Sequence, residues 1–333
     1  MIIPNFKHQQ YAHCESGVSV NLLRHYGLEL SEPMVFGIGA GLFFAHLPFV
    51  KVNGVPGTTF RIFPGYIFKR TCDRLGVKIH RESFRSEAAG MQALDDALAQ
   101  NRPVGMLSSV YYLSYLPPAF RFHFNAHNLI VYGKEGNEYL ISDPVMDTVT
   151  RLPAEDLVKA RFAKGFPEPK GKMYYPVSAP AQADLKAPIL QGIKQTCWFM
   201  LTPPIPMFGY KGIRFLGRHI RQYPNKLDSR RATLYLGNII RMQEEIGTGG
   251  AGFRFVYAAF LQEAGTLLQN DVMLEQSRQM TQIGDQWRHF AYSAARTCKD
   301  RSTNRVSYNE LGDMLEDISE KEKVLFERLK KIR

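Results

Sequence analysis

Between residues 15 and 26 the chain carries Val18, Val20, Leu22, Leu23 and Tyr26 at mostly helical spacing, and Gly27 follows where a C-terminal cap falls. The pattern predicts a helix with Cys14 at its N-terminus. A helix is also predicted over residues 64–75, a short strand over 77–80 and a helix over 91–100. After Pro103, VGMLSSV reads as a strand. HNLIVYG and EYLISDP flank KEGN, a turn containing Gly136, and together predict a hairpin. The first half is therefore expected to be α+β with an antiparallel sheet.

From residue 152 to 180 the pattern loosens, with Pro167, Pro169, Pro176 and Pro180 among Lys and Gly, so a connecting segment is expected over 175–186. Beyond residue 187 alternation gives way to helical periodicity over 211–221, 231–246, 253–268, 272–295 and 307–331. Ser307 followed by Glu310 has the form of a capping box. The expected organisation is two domains, an α+β domain over 1–180 and an all-α domain over 187–333, which suits a chain of 333 residues.

Composition narrows the class. Forty-five per cent hydrophobic and 12% aromatic residues exclude a disordered chain. The longest apolar stretches, 37–50 and 197–208, are too short for a membrane span and are interrupted by His46 and Pro48 or by Pro203, Pro204 and Pro206. MIIPNFKHQQ has no secretory signal pattern, so a cytoplasmic location is expected. A net charge of +11 suits nucleic acid, a membrane surface or an acidic protein partner. No helix-turn-helix, RRM or zinc-finger pattern accompanies it, and no nucleic-acid binding is expected. Cys14, Cys72, Cys197 and Cys298 are too scattered for a disulfide framework and form no CxxC pair.

A free cysteine is commonly a small buried hydrophobe. At a helix start, however, backbone N–H groups and the helix dipole favour the nucleophilic thiolate. With KEGN as the loop, Gly133 faces Glu138, and His127 and Asn128 lie opposite Asp143 within one residue of register. The pair can be two polar groups satisfying each other, or a base and its orienting carboxylate serving Cys14. His123, four residues before His127, lies about 13 Å along the strand, too far to share an ion, and no metal is expected. FGIGAGLFF lacks the context of a dinucleotide loop and is expected to provide close packing near the active-site cleft. No Walker sequence is present either.

HCESGVSVNLLRHYG, AHNLIVYG and YLISDP occur in the order Cys, His, Asp used by papain-like thiol enzymes. With SEPMVFGIGAGLFF, the segment resembles the amino-terminal domain of the butirosin-biosynthesis BtrH family over roughly residues 5–180. GTGGAGFRFVYAAFLQEAG, residues 247–265, resembles the helical domain often fused to it. The resemblance implies a papain-like, C39-peptidase-like domain acting as an acyltransferase. An acyl group moves from the phosphopantetheine of an acyl carrier protein to an amine or alcohol in natural-product or polyketide and lipid-like biosynthesis, without any further cofactor. It implies Cys14 as nucleophile, His127 as base and Asp143 as orienting acid. Papain-like peptidases often carry an oxyanion-hole Gln six residues before the cysteine, and that position here is His8. Gln9 and Gln10 are close by. Gln9 and His13 are candidates for substrate contact, His13 either lining the cleft or packing.

Two features of the second half complete the reading. Lys211, Arg214, Arg218 and Arg221 form a basic stripe beside Ile213, Leu216 and Ile220 on an amphipathic helix. The stripe is a solvated face or a docking site for an acidic carrier protein. Arg254 and Tyr257, in the first turn after a glycine run, are candidates to face a substrate if the helical domain caps the cleft. The alternative activities are a cysteine peptidase, amidase or thioester hydrolase using the same triad, or a binding module in which the triad is incidental.

Overall fold

The computed structural model describes residues 1–52, 54–299 and 306–332. Its strands are β1 (Leu42–Val52), β2 (Val55–Arg61), β3 (Lys78–Glu82), β4 (Val104–Ser108), β5 (His127–Glu135), β6 (Glu138–Ser142), β7 (Thr150–Pro153) and β8 (Met173–Ser178). The helices are α1 (Cys14–His25), α2 (Glu32–Ile38), α3 (Tyr66–Arg74), α4 (Glu87–Ala99), α5 (Ala154–Arg161), α6 (Lys186–Leu201), α7 (Gly209–Arg221), α8 (Tyr223–Lys226), α9 (Ser229–Glu244), α10 (Arg254–Leu267), α11 (Asp271–Lys299) and α12 (Tyr308–Leu329). The class is α+β, and the stretch from α6 to α12 is helical. Among the described residues no helix is long and apolar enough to cross a membrane.

The chain divides into two compact units that are not contiguous stretches: Met1–Val35 with Ile67–Asp184, and Phe36–Tyr66 with Leu185–Arg333. This corrects the expected domains over 1–180 and 187–333. The segment carrying β1 and β2 belongs with the helical residues, so the second unit is not all-α. The reason lies in its aromatic side chains, whose ring partners are on C-terminal helices.

In the first unit six antiparallel strands run in the order β3-β8-β4-β5-β6-β7. Leu94 and Leu98 of α4 and Leu157 of α5 share a buried cluster with Met106, Leu129 and Ile141 of the sheet. Every residue of α1 from Cys14 to Leu23 is buried, although Glu15, Ser16, Ser19 and Asn21 are polar. Strand β8 lies inside the sheet, within the stretch that read as a loosening connector. Its Pro176 stands opposite Ile79 of β3, and on the other side only Gly105 and Met106 of β4 pair with it, at Tyr174 and Met173. Proline cannot donate to a ladder, which is why the sequence pattern concealed a central strand.

In the second unit β1 and β2 form an antiparallel hairpin. Phe44 and Phe60 pack on Trp287 of α11 with ring centroids 6.0 and 5.4 Å away. Phe36 stacks on Phe253 at 5.0 Å. A Cβ on Gly37 would meet the Phe260 ring at 2.1 Å, so only glycine admits α10 there. Gly37 and Gly41 of FGIGAGLFF thus pack within this unit, against Phe260 and Phe36. The predicted capping box is present, with Ser307 accepting from the Glu310 N–H and Glu310 from the Ser307 N–H.

Candidate active site

Cys14 is the first residue of α1. His13, in extended conformation, caps the helix, its Nδ1 accepting from the Ser16 N–H at 3.3 Å. One carboxylate fixes the turn that enters the helix. Glu32 Oε1 accepts from the His13 N–H and the Ser16 hydroxyl, both at 2.8 Å, and Oε2 from the Ala12 N–H at 3.0 Å. The buried Glu15 reaches the start of α3, its Oε1 accepting from the Ile67 N–H at 2.9 Å. Both acids satisfy backbone donors that the helix starts leave open.

The chain before the helix is tied to the chain leaving β6. The Tyr11 N–H donates to the Pro144 carbonyl at 2.7 Å, and Gln10 Nε2 to the Val145 carbonyl at 3.3 Å. His8 Nε2 donates to the Met146 carbonyl at 3.2 Å and Nδ1 bonds to the Ser142 hydroxyl at 2.8 Å. Both ring nitrogens of the residue standing at the position of the oxyanion glutamine are therefore used in holding this crossing.

The hairpin differs from its predicted register. Glu135 pairs with Glu138 around a turn at Gly136 and Asn137, Gly133 faces Leu140, and a bulge at Tyr132 shifts the pairing to Ile130 with Ser142. One step further along, Asp143 stands level with Leu129, two residues from His127 and so on the same side of the strand. The diagonal closes by a hydrogen bond, His127 Nε2–H to Asp143 Oδ2 at 2.7 Å. Tyr115 donates its hydroxyl to the same oxygen at 2.6 Å, and the Val145 N–H donates to Oδ1 at 3.2 Å. With Nε2 taken by Asp143, Nδ1 is the ring nitrogen left to serve the sulfur.

The electrostatics favour an ion pair. Burial opposes ionisation of the Cys14 thiol, but His13 beside it and hydrogen bonds from His127 and His13 bring it well below the usual thiol range. Burial likewise disfavours a charged His127, yet the Asp143 carboxylate and the Cys14 sulfur raise it. Asp143 is fully buried and still held below its ordinary value by the His127 charge and by three hydrogen bonds. A thiolate facing an imidazolium, with a carboxylate behind it, is the arrangement for nucleophilic attack by sulfur followed by proton delivery to a leaving group.

The other sequence candidates fare differently. His13 is buried at the helix cap, directly preceding Cys14. Gln9 is exposed, and its carbonyl accepts from Asn21 Nδ2 at 3.0 Å. Arg254 and Tyr257 are corrected: both are fully buried inside the second unit. Arg254 donates to both carboxylate oxygens of Glu322, at 2.8 and 3.0 Å, and to the Gly252 carbonyl at 2.8 Å. Tyr257 packs against Phe260 and Phe326. A charge this deep needs a partner, and the protein supplies one from α12, leaving neither side chain to a substrate. In the basic stripe, Arg214 pairs with Glu320 at 2.9 Å, and Arg221 with Asp313 and Glu316 at 2.5 and 2.7 Å. Lys211 lies over the Tyr210 ring and Arg218 is exposed. Sequence reasoning missed Tyr115, Glu15, Glu32 and the amide of Asn128. Of these only Asn128, a polar residue opening the apolar run after His127, had a visible signal.

Residues 13–144 match the family model described as Butirosin biosynthesis protein H, N-terminal. Residues 155–329, more than half of the chain, match the model described as Domain of unknown function (DUF4872). No curated protein sequence matches the chain at a significant level. Among solved structures, the chain is similar to a C39-like peptidase from Bacillus anthracis, at 14% identity over 55% of this chain and 98% of that one, with a TM-score of 0.38. So slight a likeness carries no weight for the fold. The chain belongs to the DUF4872 family, and an amino-terminal region similar to that of Butirosin biosynthesis protein H precedes its DUF4872 segment.

Proposed function

We propose that the protein is a cysteine-dependent acyltransferase. The observation that carries this reading is the buried Cys14–His127–Asp143 array with its thiolate–imidazolium polarity. The Cys14 thiolate attacks the carbonyl carbon of an acyl thioester. The carbon–sulfur bond to the donor breaks, and the departing thiolate takes the proton of the His127 imidazolium, leaving an acyl-Cys14 and a neutral imidazole. An amine then attacks the acyl-enzyme, His127 accepts its proton, and an amide departs with the ion pair restored. Asp143 holds the imidazole in the tautomer that presents Nδ1 to the sulfur.

The donor in this reading is carried by the phosphopantetheine of an acyl carrier protein, and the acceptor is a small amine or alcohol. The butirosin-biosynthesis name of the matching family supports a role in natural-product assembly. Carrier docking falls to the exposed Arg218 with Lys211, because Arg214 and Arg221 are engaged by α12.

Intact-mass analysis after mixing with acyl carrier protein thioesters and small acyl thioesters tests the proposal. An acyl mass on Cys14, discharged by added amine, is expected, and Cys14→Ala removes it. An adduct that water discharges equally fast with amine present assigns the site to hydrolysis instead.

A further inference from the structure

The position at which papain-like enzymes often carry an oxyanion glutamine is occupied by His8, whose ring is committed to Ser142 and Met146. A side-chain amide nevertheless faces the nucleophile from another direction. Asn128 is 1% exposed, and its Nδ2 lies 3.9 Å from Cys14 Sγ. The orientation of the amide is set by chemistry. Nδ2 is also 3.4 Å from the Ala126 carbonyl, which can only accept, so this end is the donor. At the other end Oδ1 accepts from the Tyr174 hydroxyl at 2.7 Å. The Tyr174 ring is itself held against Phe68, centroids 4.7 Å apart. The amide is thus fixed by hydrogen bonds at both ends, with one N–H directed at the sulfur.

We propose that Asn128 is a catalytic residue whose amide N–H stabilises the oxyanion formed when Cys14 attacks an acyl group, with Tyr174 as its positioning residue. The inference rests on the acyl-transfer reading given above. The oxygen of a tetrahedral adduct sits two bonds from Sγ, so an adduct whose oxygen turns toward Asn128 reaches the roughly 2.7–3.1 Å that such a donor needs. The Cys14 backbone N–H, one of the open donors of the first helical turn, supplies the second hydrogen bond. Placing the donor on β5, beside the base, leaves position 8 for holding the N-terminal segment on the residues after Asp143.

Two reactions of the same sulfur separate this role from simple support of Cys14. Acylation by a small thioester develops an oxyanion, whereas alkylation by iodoacetamide displaces iodide and develops none. In Asn128→Ala, acylation should fall about 100-fold or more, while alkylation of Cys14 stays within about threefold of the wild type. Tyr174→Phe keeps the ring and frees the amide to rotate. It should slow acylation about tenfold without slowing alkylation, and it carries the test alone if Asn128→Ala does not fold. A parallel fall in both reactions, or unchanged acylation in variants of a protein that is readily acylated, overturns the inference. A wild-type protein whose Cys14 alkylates but accepts no acyl group overturns the acyl-transfer reading, and this role with it.

Discussion

Gly17 lies so close to Pro144 that a Cβ at position 17 would stand 2.6 Å from the proline Cβ, and 2.8 Å from that of Tyr11. The contact presses the first turn of α1, which carries Cys14, onto the residue that follows Asp143. Nucleophile and orienting acid are 129 residues apart in the chain, and this approach is one of the contacts that sets their spacing.

Gly17→Ala reports on that contact. In an open helix the change gains up to about 1 kcal/mol. Here overpacking costs about 1–3 kcal/mol, so a net loss of stability and slower acylation of Cys14 are expected. Equilibrium unfolding checks the sign, and a more stable variant would show that the contact yields without cost.

Cys14 should be the thiol that iodoacetamide labels first. Burial pushes Cys197 up to about 12 and raises Cys72 further, so both stay protonated at neutral pH. Because the Cys14 thiol is lowered, its labelling should fall less steeply below about pH 8 than that of a free model thiol, which slows about tenfold per pH unit. Acyl transfer should decline on the alkaline side, as the raised His127 loses its proton. In His127→Ala the labelling should become more dependent on pH, with His13 still beside the sulfur. Peptide mapping at several pH values measures all of this.

The members of the array should differ in severity. Cys14→Ala abolishes acylation. Asp143→Asn retains a hydrogen-bonding group and should be about 100-fold milder than His127→Ala. Tyr115→Phe removes a charge-assisted bond to Asp143 and should slow acylation about tenfold. Single-turnover kinetics ranks them, and equal, negligible losses would leave His127 and Asp143 as structural groups.

Arg218→Glu should raise the apparent KM for a carrier-bound donor while leaving a soluble thioester unaffected. The effect should fade with salt, since exposed charges act over a Debye length of about 8–10 Å. Arg214→Glu should affect the carrier less, because Arg214 already faces Glu320. If both donors are unaffected by Arg218→Glu, the stripe is a solvated face.

Arg254→Ala should destabilise the protein by about 3–5 kcal/mol, because it strands Glu322, which also accepts from Trp287 Nε1 at 2.8 Å. Denaturant unfolding of this variant against Glu322→Gln tests the assignment. A loss below about 1 kcal/mol would be inconsistent with a buried pair.

What the sequence determined by itself was local. Helical spacing after Cys14 and the hairpin whose strands begin at His127 and run up to Asp143 follow from periodicity and turn chemistry, and the structure has α1, β5 and β6 there. Periodicity states that a side chain is buried but not what buries it. Only the tertiary structure decided that Phe36–Tyr66 joins the helical unit, where Phe44 and Phe60 find Trp287. It alone paired Arg254 with Glu322 across 68 residues of chain, because desolvating a charge demands a partner that no spacing rule reveals. The bulge at Tyr132, the hydroxyls of Tyr115 and Tyr174 and the amide of Asn128 belong with these. Each matters through the direction in which one polar atom points, and that direction is set by packing from distant parts of the chain.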